Sequence, residues 1–322
     1  MSLVDALHVN ILVIDVGGTS VKFGYALKGE PHSYERLFQT ADLRAGDPVE
    51  RLAFMIRTVI EETGITPDLV VSTVPGFVDS DEDRVLFAGN ILSLNGRFLA
   101  TDLMAQIGIP VVLERDSVLA LIGETIAGAG RGARTALGIF FGTGVGAAFV
   151  EEGRPFRGAG WALEIGHMPF RGEGRQLEGM RKDALEGYVS GRALQMIADR
   201  QGVPIQTVFQ ARANNPELAQ ELEIFVRDQA YVIGTAIALF SPEVTILGGG
   251  LCEMAGFPKA ELEQLVAANA PIAETGRPMA LHWAGLGWRS ALVGAPQAAA
   301  EHLKRHPISA QHIAQLADQP VH

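Results

Sequence analysis

Asp15 is the last residue but one of the apolar run "NILVIDV", one residue before Gly17, Gly18 and Thr19, after which the alternating stretch "SVKFG" resumes. A lone carboxylate where a strand runs out has two readings. It can cap the turn of an ordinary hairpin, or it can stand beside a ligand that the glycines admit to the backbone. The same design recurs at Gly142, Thr143 and Gly144 in "GIFFGTGVGAAFVEEGRP", and a third strand-to-glycine junction, Gly248, Gly249 and Gly250, stands in "VTILGGGL" behind a long helical pattern. Gly142, Gly144 and Ala147 satisfy the loose dinucleotide fingerprint GxGxxA, yet a short strand and a turn follow where a helix is required, and no GxxxxGK[ST] P-loop occurs. Two Gly/Thr hairpins offer instead backbone N–H groups and hydroxyls unhindered by side chains, a clamp for the phosphates of a nucleotide. Phosphates bring a divalent cation, and Asp15 is placed to hold one directly or through water.

A phosphoryl transferase also needs a carboxylate near the acceptor hydroxyl. In "VVLERDSVLALIGE" Asp116 follows a buried strand and opens a helix. There it reads as a helix cap and, compatibly, as a base that faces a cleft. "GAGWALEIGHMPF" and "DALEGYVSG" set Glu164, His167 and Glu186 on segments that are neither clearly helix nor strand, polar side chains suited to a polyol. By itself His167 reads as a structural donor, because nothing around it has metal-site spacing.

These residues need a frame of alternating strands and helices. Apolar, β-branched runs predict strands at Asn10–Val16, Leu69–Val74, Val111–Leu113, Leu137–Phe141 and Val244–Leu247. Helical patterns cover Pro48–Thr63, stopped by Gly64, then Ser117–Ala127, Gln220–Phe240 and the Ala-rich stretch from Trp288 to about Arg305. With 322 residues, two α/β domains are expected: 1–117, completed by a helix at about 289–305, then 118–288, with 306–322 as a tail. The 26 basic against 37 acidic residues leave a net charge of −11, which supplies no footprint for nucleic acid or an anionic membrane surface. The start has neither basic nor apolar leader character, no apolar run reaches about 18 residues, and Cys252 is the single cysteine. A cytoplasmic protein without disulfides or a multi-cysteine zinc site is the expectation.

Taken in order, the pieces resemble the ROK family of sugar kinases within the hexokinase, Hsp70 and actin superfamily: DVGGT at Asp15–Thr19, VPGFV at Val74–Val78, Asn90, ERD at Glu114–Asp116, GTGVG at Gly142–Gly146, EIGHM at Glu164–Met168, LE..VSG at Leu185–Gly191 and ILGGG at Ile246–Gly250. The Arg of ERD and the phrase "GGGLCEMAGFP" further resemble the allose kinases. The resemblance implies an actin-like ATPase fold, the ribonuclease H-like duplicated α/β design with two domains around a cleft, and the transfer of phosphate from ATP to a hexose hydroxyl, taken as the 6-hydroxyl. It implies Asp116 as general base and Asp15 as the Mg2+ residue. Gly17–Thr19 and Gly142–Gly144 would hold the ATP phosphates, and Gly248–Gly250 would flank the adenosine. Gly76, Asn90, Arg115, Glu164, His167 and Glu186 would line the sugar site, and the assembly would be a homodimer.

Two departures stand out. Arg115 replaces an amide that reads a sugar hydroxyl in many relatives, which leads us to expect an unsubstituted hexose rather than an N-acetyl sugar. The family's zinc site joins the His of EIGH to three cysteines, and here the cysteine stretch is "RGEGRQLEGMRKDALEG". No zinc is therefore expected, and the alternating charges from Arg171 to Asp183 would hold the loop through exposed ion pairs, leaving it more mobile. Two rival readings are a sugar-responsive transcription regulator, disfavoured by the acidic charge and the 14 residues before Asp15, and a catalytically inactive sugar-binding regulator.

Overall fold

The computed structural model describes residues 9–74, 76–79, 83–89, 91–278 and 280–306. The chain divides into two compact units. The first joins residues up to Ala127 with Arg157–Ala162 and the stretch from Trp288, and the second holds Gly128–Phe156 and Leu163–Gly287. The division falls after Ala127 and not after residue 117, because the helix that starts at Asp116 packs its length against the C-terminal helix of its own unit. The tail beyond residue 306 lies outside the described residues.

In the first unit β1 (Asn10–Val16), β2 (Ser20–Leu27) and β3 (Glu30–Gln39) form an antiparallel meander. Helices α1 (Thr40–Arg44) and α2 (Pro48–Thr63) lead to β4 (Leu69–Thr73), which pairs parallel with β1. The small hairpin β5 (Phe77–Asp79) and β6 (Arg84–Phe87) and helix α3 (Leu99–Ile107) precede β7 (Val111–Glu114), parallel to β4, and helix α4 (Asp116–Ala127). The sheet order is β3-β2-β1-β4-β7. α2 is bounded as its sequence dictates: the Asp47 carboxylate accepts the N–H groups of Val49 and Glu50, Pro48 sits in the first turn, and Gly64 ends it at φ +67°.

In the second unit the hairpin β8 (Thr135–Phe141) and β9 (Val145–Glu151) continues into β10 (Arg154–Pro155). Helices α5 (Glu186–Val189), α6 (Gly191–Arg200) and α7 (Pro216–Phe240) lead to β11 (Val244–Gly248), α8 (Lys259–Asn269) and β12 (Leu281–Trp283). The order β10-β9-β8-β11-β12 repeats that of the first unit, with β8, β11 and β12 parallel as β1, β4 and β7 are. The expected duplication is thus visible strand by strand. Helix α9 (Arg289–Arg305) then returns to the first unit. A Cβ on Gly123 of α4 would overlap the Ser290 carbonyl, and one on Gly294 of α9 would overlap that of Leu119, so these glycines let the two helix backbones touch. That contact seats the helix whose first residue is Asp116. Among the described residues no helix is long and apolar enough to cross a membrane.

Candidate active site

The β1–β2 turn is pinned from one side. Thr40 Oγ1 donates to the Gly17 carbonyl at 2.7 Å, Arg44 Nη2 to that of Gly18 at 3.3 Å, and the Thr40 N–H to that of Thr19 at 3.0 Å. In a trans peptide the C=O and the following N–H point opposite ways. Three consecutive carbonyls fastened to α1 therefore turn the N–H groups of Gly18, Thr19 and Ser20 the other way, as a concavity that suits an anion. The β8–β9 turn of the second unit repeats the device. Its Gly142 and Thr143 carbonyls accept the Gly191 and Arg192 N–H groups at the start of α6, at 2.8 and 3.1 Å, which turns the N–H groups of Thr143 and Gly144 outward.

Parallel strands bring their C-terminal ends together, so Asp15, Thr73 and the Glu114–Asp116 corner share one end of the first sheet. Thr73 Oγ1 donates to Asp15 Oδ1 at 3.0 Å and accepts the Val16 N–H at 2.9 Å. Lys22, directly across the hairpin from Asp15, places Nζ 3.9 Å from its Oδ2. Burial pushes the Asp15 carboxyl above the usual range, against the pull of Lys22 and Thr73. Asp116 is likewise raised, first by burial and then by the charge of Asp15. Its Oδ1 accepts the N–H of Ser117 at 2.6 Å, whereas the Arg115 carbonyl accepts those of Val118 and Leu119. Arg115 is therefore the capping position, and Asp116 is the first residue inside the helix.

Arg115 is tied into the same corner. Its side chain is buried and Nη1 donates to the Ala162 carbonyl, while the neighbouring Glu114 carboxylate takes both Nη groups of Arg157. Residues 157–162 are thus fastened beside the Asp116 corner within the first unit. Gly76, at φ +125°, is required because a Cβ there would overlap the Phe87 carbonyl across the β5–β6 hairpin. Asn90 lies outside the described residues.

In the second unit, Gly248 ends β11, Gly249 and Gly250 follow it, and the turn abuts the end of β8, the Leu251 N–H donating to the Phe141 carbonyl at 3.0 Å. Gly249 is held at φ +96°, and a Cβ on it would overlap Phe141 O. Glu186, which opens α5, sits against the other glycine turn: Oε2 accepts the Val145 N–H at 3.2 Å, and Arg192 Nη1 is 3.5 Å from Oε1. Burial raises its carboxyl, opposed by the Val145 N–H and Arg192. Gly166 lets the EIGH segment lie against this corner, its Cβ position being 3.0 Å from Val145 O and 3.2 Å from Glu186 Oε2. Glu164 and His167 frame that turn, the His167 N–H donating to the Glu164 carbonyl at 3.1 Å. Burial first, and then Arg181, keep the imidazole below its usual pKa and so neutral at pH 7.

A model of the ROK family matches residues 11–302. The chain belongs to the ROK family. This ROK chain is 28% identical over 258 residues to an N-acetyl-D-glucosamine kinase of Vibrio vulnificus, a match covering 74% of the chain and 82% of the relative. A ROK family glucokinase from Streptomyces griseus, solved with glucose and AMPPNP, superposes at TM-score 0.76 with 25% identity, covering 90% of this chain and 98% of that one. A ROK hexokinase from Thermus thermophilus superposes at TM-score 0.74 with 24% identity, covering 92% and 99%, and shares the fold.

The ROK chain departs from the zinc site that the resemblance implies. Among the described residues no three His, Cys, Asp or Glu side chains gather as a metal site, and Cys252 is buried beside β11 with Sγ directed to the Gly248 carbonyl. Nor do exposed ion pairs alone hold the loop. Arg171 pairs with Asp228 of α7, a carboxylate only 3% exposed, as well as with Glu173, and Asp183 gathers hydrogen bonds from its own loop. Sequence reasoning missed Lys22, Thr73, Thr40, Arg44 and Arg157. Of these only Lys22 left a signal, as the residue opposite Asp15 if the four residues 17–20 make the turn.

Proposed function

We propose that this chain transfers the γ-phosphoryl group of ATP to a hexose hydroxyl, taken as the 6-hydroxyl, with Asp116 as general base. The observation that carries the reading is the pair of glycine turns, each with consecutive carbonyls tied back to a helix, one of them beside the Asp15 and Asp116 carboxylates. The named activities of the relatives support it. N–H groups held outward before the substrate arrives stabilise phosphate charge without reorganisation. Gly18, Thr19 and Ser20 in one unit, and Thr143 and Gly144 in the other, would take the phosphates, with Gly248–Gly250 beside the nucleoside. Mg2+ is a hard cation that binds through one or two carboxylates and substrate phosphates, and Asp15 with Asp116 near it fits that donor set. Bound there it would neutralise charge on the β- and γ-phosphates.

In the transfer, the sugar hydroxyl oxygen forms a bond to the γ-phosphorus while the bond from that phosphorus to the β,γ-bridging oxygen breaks. The hydroxyl proton passes to Asp116, and ADP leaves. Asp116 is suited to this because burial and Asp15 raise its basicity above that of an ordinary carboxylate. Glu164, neutral His167 and Glu186 would bind sugar hydroxyls. Arg115 ties Nη1 to the Ala162 carbonyl, so its place at the sugar, and the preference for an unsubstituted hexose that rests on it, are for the sugar panel to decide. An ADP-release assay with Mg-ATP over glucose, allose, N-acetylglucosamine and N-acetylmannosamine, with NMR of the product, tests the reading and names sugar and position. No turnover with any hexose would overturn it. A homodimer belongs to the same reading, and light scattering tests it.

A further inference from the structure

We propose that Asp183 is a positioning residue for sugar binding, the centre of a carboxylate knot that holds the His167 segment and the Glu186 helix as one piece. The inference rests on the reading that His167 and Glu186 meet the sugar. Asp183 has φ +56°, a left-handed conformation that aspartate tolerates better than most residues. Its Oδ1 accepts the N–H groups of Gly174 at 2.7 Å and Arg175 at 2.9 Å, and the Tyr188 hydroxyl at 2.6 Å. The Tyr188 bond above all keeps the carboxyl below its usual range, whereas burial and Asp183 push the Tyr188 hydroxyl up to about 12, so the two stay acceptor and donor at neutral pH.

The backbone of the same residue does the rest. Its N–H donates to the Arg175 carbonyl at 2.8 Å and its carbonyl accepts the Phe170 N–H at 2.9 Å. Next to it Pro169 and Ala184 form an antiparallel bridge, and the Leu185 N–H reaches the Met168 carbonyl at 2.8 Å. Met168 directly follows His167, and Leu185 directly precedes Glu186. Through Tyr188 the carboxylate also grips α5 itself, and the Tyr188 ring is stacked between Phe170, edge-on at 5.4 Å, and the Arg175 guanidinium at 4.6 Å. Arg181 completes the piece by donating from Nε to the His167 carbonyl at 3.0 Å. A charged acceptor shared by several donors orders a loop by tying backbone from both sides, with bonds stronger than neutral ones.

The test compares wild type with Asp183→Ala, Asp183→Asn and Tyr188→Phe. The readouts are sugar KM, ATP KM, kcat, tryptic cleavage after Arg175, Arg181 and Lys182, and activity after chelation with Mg2+ alone returned. For Asp183→Ala we expect sugar KM to rise about tenfold or more with kcat and ATP KM within about threefold, the pattern of lost ground-state binding, together with faster loop cleavage. Asp183→Asn keeps an acceptor oxygen and should recover part of the loss. Tyr188→Phe removes the hydroxyl that meets Asp183 and the Arg171 carbonyl, leaves the backbone bonds of the knot intact and should give a smaller shift of the same kind, which keeps the test open if the alanine variant does not fold. Wild-type sugar KM in both Asp183→Ala and Tyr188→Phe overturns the proposal, as does activity that returns only when zinc is added. If wild type phosphorylates no hexose, the sugar-kinase reading fails instead, and cleavage rates still judge the knot.

Discussion

Gly144→Ala isolates the coupling between the second glycine turn and Glu186. Gly144 is not among the glycines with positive φ, so its backbone accepts an alanine without strain. The obstacle is a side chain: the new methyl would overlap Glu186 Oε2 and lie 2.9 Å from Cδ. The carboxylate must swing away, losing the bond from the Val145 N–H at 3.2 Å and its approach to Arg192. A hydrogen bond to a charged group contributes about 1.5–3 kcal/mol. At 1.36 kcal/mol per factor of ten, the expected rise in sugar KM is about 10- to 150-fold. A coupled ADP-release assay reads it, and a double-mutant cycle with Glu186→Ala makes it specific. With the carboxylate already removed, Gly144→Ala should change sugar KM by less than about twofold, since ΔΔG then has no partner to displace. Equal effects in both backgrounds, or a wild-type KM in the single variant, would show that the turn and Glu186 are independent.

Asp116→Asn keeps the shape and cannot take a proton, so kcat should fall by about two orders of magnitude or more while sugar binding survives. Because burial and Asp15 raise this carboxyl in the folded chain, its contribution to stability is present below the unfolded pKa and lost as pH rises through the folded value. The asparagine variant should therefore melt no lower than wild type at pH 7, and wild-type kcat should fall as pH drops through that raised value; a lower melting temperature would refute the linkage. Lys22→Met removes the cation that draws the Asp15 pKa down, so the KM for Mg-ATP should rise at pH 7 and recover in part at higher pH. Elemental analysis should find no stoichiometric zinc, and exhaustive chelation followed by Mg2+ alone should restore full activity; near-stoichiometric zinc would show ligands the loop is not credited with.

Local pattern carried much of this into view. Strands β1, β4, β8 and β11 are short β-branched runs that end at glycine or a polar residue, and α2 has its cap, its Pro and its Gly in sequence, so each declares itself within a few residues. The glycine turns and Asp116 were legible for the same reason. What escaped depends on chain segments far apart. Glu114 chooses Arg157, 43 residues on, over the adjacent Arg115. Nothing in the sequence marks that pairing, and neighbouring residues at a strand end point to different sides. The tethers from Thr40 and Arg44 to the first turn, and from Gly191 and Arg192 to the second, use carbonyls, which no residue type advertises. Asp183 looked like one charge among seven, and only its left-handed backbone and its neighbours single it out.

The return of α9 to the first unit also bears on how the chain is made. That unit contains its first 127 residues, yet the helix that covers Gly24 and packs along α4 is encoded from residue 289 onward. At about 5–20 residues per second, the intervening stretch takes a ribosome on the order of 10–35 s to deliver. For that interval Gly24 and the α4 backbone at Leu119 and Gly123, which meet Trp288, Leu292, Gly294 and Ser290 in the finished molecule, lack their cover. Vectorial synthesis therefore leaves the earliest segment waiting for the latest, and premature termination before Arg289 would cost the fold of residues made first.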